Sequence, residues 1–155
     1  RIMGSVFGHT QVQIETRFES VPELDRSALA EAMEMVAKKR NWSARSGLYM
    51  LLARSKMVLV VKEVPTSGEL RDAELWAADT LAGRPVAAIF SDYDALDTYE
   101  PRGLNALTLS GIELFPWLLE QKVGSVLINP GGAPRGELYV NELMTMSDGI
   151  KKMMH

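Results

Sequence analysis

The stretch from residue 84 to residue 146 constrains the fold of this chain more than any other. It contains three short aliphatic runs, at residues 85–90, 106–109 and 125–128, and each leads through a turn or cap signal into a helical pattern. This alternation is typical of a layer of helices packed on a sheet. A further run at residues 57–61 is apolar on both faces and predicts another buried strand. We therefore predict an α/β (α+β) fold in which these four strands share a single mixed β-sheet, with helices packed on at least one face.

Two helices are predicted before the strand at residues 57–61. Ser20 and Glu23 have the spacing of a capping box, with Pro22 in the first turn of the first helix. Residues 41–43 interrupt the pattern, and a second helix is predicted to begin near Ser43. Downstream, residues 75–81 alternate imperfectly and predict a hairpin with residues 85–90.

Polar residues are placed as N-terminal caps before the three later helices. The pairs are Ser91 with Asp94 before the helix at 92–99, Ser110 with Glu113 before the helix at 111–121, and Asn141 before the last helix. Pro116 lies inside the second of these helices, where it predicts a kink or a tightened first turn.

Length and composition predict one domain. The chain has 155 residues, of which 46% are hydrophobic, enough for one sizeable core. We expect residues 1–20 to form an N-terminal arm or strand and residues 21–155 to form a single domain. The chain has no cysteine, no secretory leader pattern and no apolar run near the ~20 residues of a membrane span. We therefore expect a cytoplasmic protein that does not contact a membrane.

Acidic residues are concentrated between residues 69 and 100. Eight acids and two bases in this segment give it a net charge of −6, whereas the whole chain carries −3. A segment of this sign argues against nucleic-acid binding, which requires clustered lysine and arginine. It is typical either of a solvated surface or of a surface for a basic protein partner. Under the second interpretation, the candidate partner-binding residues are Asp92, Asp94, Asp97 and Glu100.

The residues give no support for catalysis, a metal ion or a cofactor. Histidine occurs only at His9 and His155, near the chain ends, where a triad or zinc site is rarely held. Capping explains the serines at 91 and 110, and the acids at 92–97 lack the glycine of a calcium loop. The glycines at 131–136 are not followed by the residues of a phosphate-binding loop, so a tight turn explains them better. We expect no enzymatic activity.

Three segments carry a resemblance to a known family. Residues 84–92, 109–115 and 126–131 resemble the N-terminal domain of the SseB (enhanced serine sensitivity) family, and the likeness extends over about 24–146. Its pattern includes a strand ending in phenylalanine, a strand leading into a glycine-led helix, and a strand ending in Asn129, Pro130 and Gly131, which we interpret as a structural turn. The family has no established catalytic mechanism. Its members are associated with bacterial secretion and stress loci, which implies regulators, accessory proteins or antitoxin-like immunity proteins.

These observations favour a domain that binds another protein. The most concrete hypothesis is an immunity protein that blocks a bacterial toxin with a basic surface. One alternative is a secretion- or stress-associated regulatory or accessory protein of this family. Another is a small-molecule sensor with a cleft beside the turn at Asn129 and Gly131. The sequence leaves open whether the protein forms a homo-oligomer.

Overall fold

The computed structural model describes residues 11–13 and 21–153 and contains five α-helices and seven strands in these ranges. The helices are α1 (Arg26–Lys39), α2 (Trp42–Ala53), α3 (Tyr93–Tyr99), α4 (Gly111–Glu120) and α5 (Val140–Met153). The strands are β1 (Gln11–Gln13), β2 (Lys56–Val60), β3 (Asp79–Leu81), β4 (Arg84–Phe90), β5 (Ala106–Ser110), β6 (Ser125–Ile128) and β7 (Gly136–Tyr139).

All seven strands belong to one mixed sheet, in the order β1-β5-β2-β4-β6-β7 with β3 paired to β4. Strand β2 runs antiparallel to β4 and β5, whereas β4 is parallel to β6 and β1 is parallel to β5. The four strands expected to share a sheet therefore do so. The predicted fold class, an α+β domain with one mixed sheet, is confirmed.

The sheet is covered on both faces because its central strands are apolar on both sides. Along β2, Met57 and Leu59 enter the larger core cluster, and Val58 and Val60 enter a second, smaller one. The larger cluster is closed by α1, α2, α4 and α5. The smaller cluster is closed by α3, with Trp76 from the preceding loop packed against it. Four helices therefore cover one face, and α3 covers the other.

The predicted hairpin is present but shorter than expected. Its first strand is only β3, because Leu75 instead forms an isolated bridge with Val61 beyond the end of β2. Ala82 and Gly83 at the turn have φ values of 52° and 77°. Positive φ at both central residues is the geometry of a two-residue turn that matches the twist of the flanking strands.

The predicted start of the first helix is wrong. Leu24 N–H donates to the Lys56 carbonyl and Lys56 N–H donates to the Pro22 carbonyl, so residues 22–24 are held extended beside β2. The helix begins at Arg26, where the Asp25 side chain accepts a hydrogen bond from Ser27 N–H. Ser20, the other half of the expected capping box, lies outside the described residues, as does the predicted N-terminal arm apart from β1.

The caps of α2, α4 and α5 also differ from expectation in detail. Helix α2 begins at Trp42, one residue before the predicted start, and is capped by Asn41, whose side chain accepts from Ala44 N–H. Ser110 does precede α4, but its hydroxyl makes no capping bond, and α4 continues through Pro116 to Glu120. Helix α5 begins at Val140, so Asn141 lies inside its first turn and is not the cap.

Candidate functional site

The carboxyl ends of β4 and β6 lie side by side at one edge of the sheet. These strands are parallel neighbours, with Ile89 paired to Ile128. In open sheets of this kind, the ends of adjacent parallel strands are the usual position for a ligand. The residues that follow these strands are Ser91 and Asn129, and this edge is therefore the candidate position for a ligand site.

The side chain of Asn129 is engaged within the chain at this edge. Asn129 is fully buried in a left-handed conformation with φ of 49°. Its Oδ1 accepts from Ser91 N–H at 2.9 Å, and its Nδ2 donates to the Pro134 carbonyl at 3.0 Å. Asn129 therefore ties the end of β4 to the loop after β6, and the geometry is that of a structural turn.

Gly131 packs this turn against α3. Its φ is 76°, and an added Cβ would lie 3.3 Å from Tyr99 Cδ1. The Tyr99 ring is in turn 5.4 Å from the Phe90 ring, centroid to centroid. The space beside the turn is therefore taken up by Tyr99, which gives no support to a small-molecule cleft at this position.

Asp92 is the cap of α3, so the predicted cap at Ser91 is wrong. Asp92 Oδ1 accepts from Ala95 N–H at 2.8 Å, whereas Ser91 is buried and held against Asn129. Asp92 also forms a two-pronged ion pair with Arg26, with Nε to Oδ2 at 2.8 Å and Nη2 to Oδ1 at 2.5 Å. The pair joins the first turn of α1 to the start of α3 at this edge of the sheet.

The environment of Asp92 favours its charged form. Partial burial is the largest influence and raises the pKa, but it is outweighed by the Arg26 ion pair together with hydrogen bonds from Ala95 N–H and the Ser91 hydroxyl, so the pKa is lowered. The same hydrogen bond with Asp92 raises the pKa of Arg26. Asp92 is therefore a structural anion whose charge is largely balanced by Arg26.

The other three predicted partner-binding acids lie on or next to α3. Asp94 is exposed in its first turn, Asp97 is half-buried, and Glu100 follows its last residue. Glu100 pairs with Arg102 at 3.1 Å, and the side-chain hydrogen bond from Arg102 lowers the pKa of Glu100. From residue 62 to residue 102 the chain has nine acids and four bases, a net charge of −5. We call the surface formed by α3 and the residues that flank it, from Asp92 to Glu100, the acidic face.

A second surface lies between α2 and α5, on the opposite side of the sheet. It is a cleft of about 480 Å³ with apolar side chains from both helices. Three of them are unusually exposed for their type: Trp42 at 57%, Met50 at 42% and Met153 at 46%. We call this the α2–α5 cleft.

Tyr49 and Glu142 link the two helices beside this cleft. The Tyr49 hydroxyl donates to Glu142 Oε1 at 3.0 Å, and Glu142 Oε2 accepts from Tyr139 N–H at 2.9 Å. Burial, aided by the hydrogen bond to the Glu142 carboxylate, raises the pKa of Tyr49 to about 12. This interaction is a direct side-chain link between α2 and α5 beside the cleft.

Sequence reasoning missed the α2–α5 cleft, although a signal was present. In α2, Leu48 and Leu52 face the core, while Trp42, Tyr49 and Met50 lie on a second apolar stripe. A helix that is apolar around most of its circumference has more apolar surface than one core contact requires. That excess is the signature of a second contact surface.

Within the part of the chain that the structure describes, no helix is both long enough and apolar enough to cross a membrane. No group of three or more histidine, aspartate or glutamate side chains in the same ranges is placed to hold a metal ion.

The fold and its surfaces define a small α+β domain in which polar groups at the strand ends serve the structure. The sequence profile of the SseB protein N-terminal domain matches residues 29–145, which is most of the chain. The chain therefore belongs to the SseB N-terminal domain family, as the resemblance of its strand ends indicated. Neither a curated protein nor a solved structure matched the chain.

Proposed function

We propose that this protein is a non-catalytic binding domain that acts as an immunity protein, covering a basic surface of a secreted bacterial toxin. The observation that carries the proposal is the acidic face. Residues 92–100 carry four acids and no base, a net charge of −4 on the α3 side of the sheet, in a chain whose total is only −3. Charge gathered on one side steers a partner of opposite sign and raises its association rate.

The arrangement of the strand ends supports binding rather than catalysis. Ser91, Asn129 and Asp92 lie at the carboxyl ends of parallel strands, where open α/β sheets bind ligands. Each of them has hydrogen bonds within the chain that fix the turn or the start of α3. A nucleophile or general base must instead be directed at a position that a substrate can reach.

Asp94 and Asp97, on α3, are the contact residues whose charges are reversed to test the acidic face. Asp92 and Glu100 are less suitable for reversal, because Asp92 caps α3 and pairs with Arg26, and Glu100 pairs with Arg102.

The test is capture of the partner followed by a neutralisation assay. Immobilised wild-type protein is incubated with an extract of the source organism at ~0.1 M salt, where charge attraction acts over roughly 10 Å. The double variant Asp94→Lys/Asp97→Lys is the control bait. We expect a basic protein enriched on the wild type whose expression arrests growth of a bacterial host, and whose toxicity is relieved by co-expression of this domain. A captured protein that is acidic, or toxicity that co-expression leaves unchanged, would contradict the proposal.

A further inference from the structure

The α2–α5 cleft has the form of a groove for a helix. Its lining runs along α2 from Trp42 to Arg54 and along α5 from Thr145 to Met153. At 1.5 Å per residue these segments extend roughly 12 to 18 Å, or two to three helical turns. Peptide grooves of this kind are bounded by two helices and take apolar anchors spaced at i, i+3 or i+4, and i+7.

The side chains of the cleft are suited to such anchors. Ala53, Met146 and Ile150 form buried apolar surface, and Trp42, Met50 and Met153 stand exposed around it. Methionine is flexible and polarisable and adapts its shape to a partner, and tryptophan is enriched among interface hot spots. Exposed apolar side chains grouped around one cleft mark an interaction site rather than the scattered apolar residues of an ordinary surface.

The charges that line the cleft favour an occupant helix with acidic side chains. Arg54 and Lys152 line it against a single acid, Asp148, so the lining is net positive in a chain of net charge −3. Helix α2 contains no acidic residue along its whole length. An occupant with carboxylates beside its apolar stripe would therefore complement the cleft.

The same charges disfavour a second copy of this chain. In a symmetric dimer through this surface, each cation would face the like-charged surface of the other copy. Docking the acidic face of another copy here would be a heterologous contact, which leads to open chains unless the rotation closes. A partner of different sequence meets neither problem.

We propose that the α2–α5 cleft binds an amphipathic helix of another protein, with an apolar stripe at i, i+3 or i+4, and i+7 flanked by aspartate or glutamate. The inference rests on the proposed binding function and adds a second contact surface, opposite in charge to the acidic face. A partner that met both surfaces would present a basic region to one side of the domain and an acidic helix to the other.

The probe is a displayed library of helix-forming peptides of roughly 16 residues, long enough for three to four turns, randomised on both faces and selected on the wild-type protein. Affinities of the enriched peptides are then measured for three variants. Met50→Arg and Trp42→Ser alter the cleft at exposed positions. Met144→Arg is the matched control, since Met144 is 54% exposed on α5 but outside the cleft. Melting curves confirm that each variant is folded.

We expect the enriched peptides to share the apolar spacing and acidic flanks, and to lose roughly tenfold or more in affinity for Met50→Arg and Trp42→Ser, as hot-spot losses do. Met144→Arg should bind them as the wild type does. Peptides with basic or neutral flanks, peptides indifferent to both cleft variants, or no enrichment would overturn the proposal. A wild-type dimer in ultracentrifugation that Met50→Arg dissociates would assign the cleft to a second copy and also overturn it. So would a small ligand retained by the wild type in native mass spectrometry and lost from Met50→Arg.

The outcome separates this inference from the proposed function. If the captured basic protein binds Met50→Arg as well as wild type and no acidic-helix peptide is enriched, the cleft proposal fails and the immunity role stands. If acidic-helix peptides depend on Met50 while no captured protein is neutralised, the cleft proposal stands and the immunity role fails.

Discussion

Gly131 combines a left-handed backbone with close packing, so residues with a side chain are disfavoured at this position of the turn after β6. A side chain at φ of 76° is strained, and its Cβ would press on Tyr99. We expect Gly131→Ala to lower the free energy of unfolding by about 1 kcal/mol or more. Gly132→Ala is the matched control, because Gly132 has no positive φ and its Cβ would meet only the Asn129 carbonyl at 3.8 Å. Urea unfolding of both variants measures the difference, and equal stabilities would show that the turn is unstrained.

Asp92 gives the folded state a pH dependence that Asp92→Asn should reduce. Its folded pKa is lowered from 3.8, so its ion pair stabilises the protein above pH 3.8 and is lost as the pH falls through the folded value. Asparagine still caps a helix but carries no charge for Arg26. We therefore expect the variant to be less stable than the wild type at neutral pH, and the two to converge in acid.

Chemical unfolding at a series of pH values below neutrality tests this expectation. Asp79→Asn serves as a control, since Asp79 is exposed on β3 and its side chain accepts from the neighbouring Thr80 N–H. If the free energy of unfolding of Asp92→Asn falls with decreasing pH as steeply as that of the wild type, the Arg26 pair contributes no stability.

Single residues also show why sequence reasoning chose the wrong cap for α3. Ser91 and Asp92 are adjacent and both are good caps, so local pattern cannot separate them. The choice is made by Asn129, 38 residues away, which draws Ser91 N–H and hydroxyl into the strand edge. Contacts of that separation depend on how strands pair, which the local sequence does not encode.

At the scale of elements, Tyr49 and Glu142 join α2 to α5 and make this junction sensitive to alkali. The pKa of Tyr49 is raised from 10 to about 12, so its contribution is fully present below pH 10 and is lost as the pH rises toward 12. Tyr49→Phe should cost about 1 kcal/mol at neutral pH for the lost hydrogen bond. It should also flatten the fall in stability between pH 10 and 12.

The matched control for this junction is Tyr139→Phe. Tyr139 likewise donates to a glutamate, Glu137, but lies exposed on β7, where water replaces the lost bond. Stability at several alkaline pH values and ultraviolet titration of tyrosinate report the two effects. If the alkaline limb of Tyr49→Phe overlays that of the wild type, the junction does not depend on this bond.

Elements built from local pattern were predicted well, and those shaped by packing were not. The run at β2 is apolar on both faces, which predicted a strand covered on both sides. The start of α1 was missed because residues 22–24 bond to Lys56 across the chain. The α2–α5 cleft was missed because the sequence shows a second apolar stripe on α2 without showing whether another element covers it.

At the scale of the whole molecule, the two surfaces lie on opposite sides of the sheet and differ in sign. The acidic face lies on the α3 side, and the α2–α5 cleft lies among the helices that close the larger core. The concentration of acids was readable in the sequence, because they are close along the chain. The balancing of Asp92 by Arg26 became visible only when the fold brought α1 to α3.

Charge reversal on α3 tests whether the acidic face steers a partner. Asp97→Lys alone and Asp94→Lys with Asp97→Lys should slow association with the captured basic protein, because attraction that guides the encounter becomes repulsion. The effect should fade with salt, since the Debye length falls from ~10 Å at 0.1 M to ~3 Å at 1 M. Asp94 lies in the first turn of α3, where the helix dipole stabilises an acidic side chain. The double variant should therefore also lose a few tenths of a kcal/mol of stability.

Glu120→Lys is the control that separates steering from net charge. It makes the same charge change as Asp97→Lys, at an exposed position at the end of α4 on the other side of the sheet. Association rates measured at several salt concentrations, with melting curves for every variant, should show a steep salt slope for wild type and Glu120→Lys and a shallow or inverted slope for the α3 variants. Equal rates and equal slopes for all four proteins would mean that the acidic face is only solvated, and that the partner is guided by another surface.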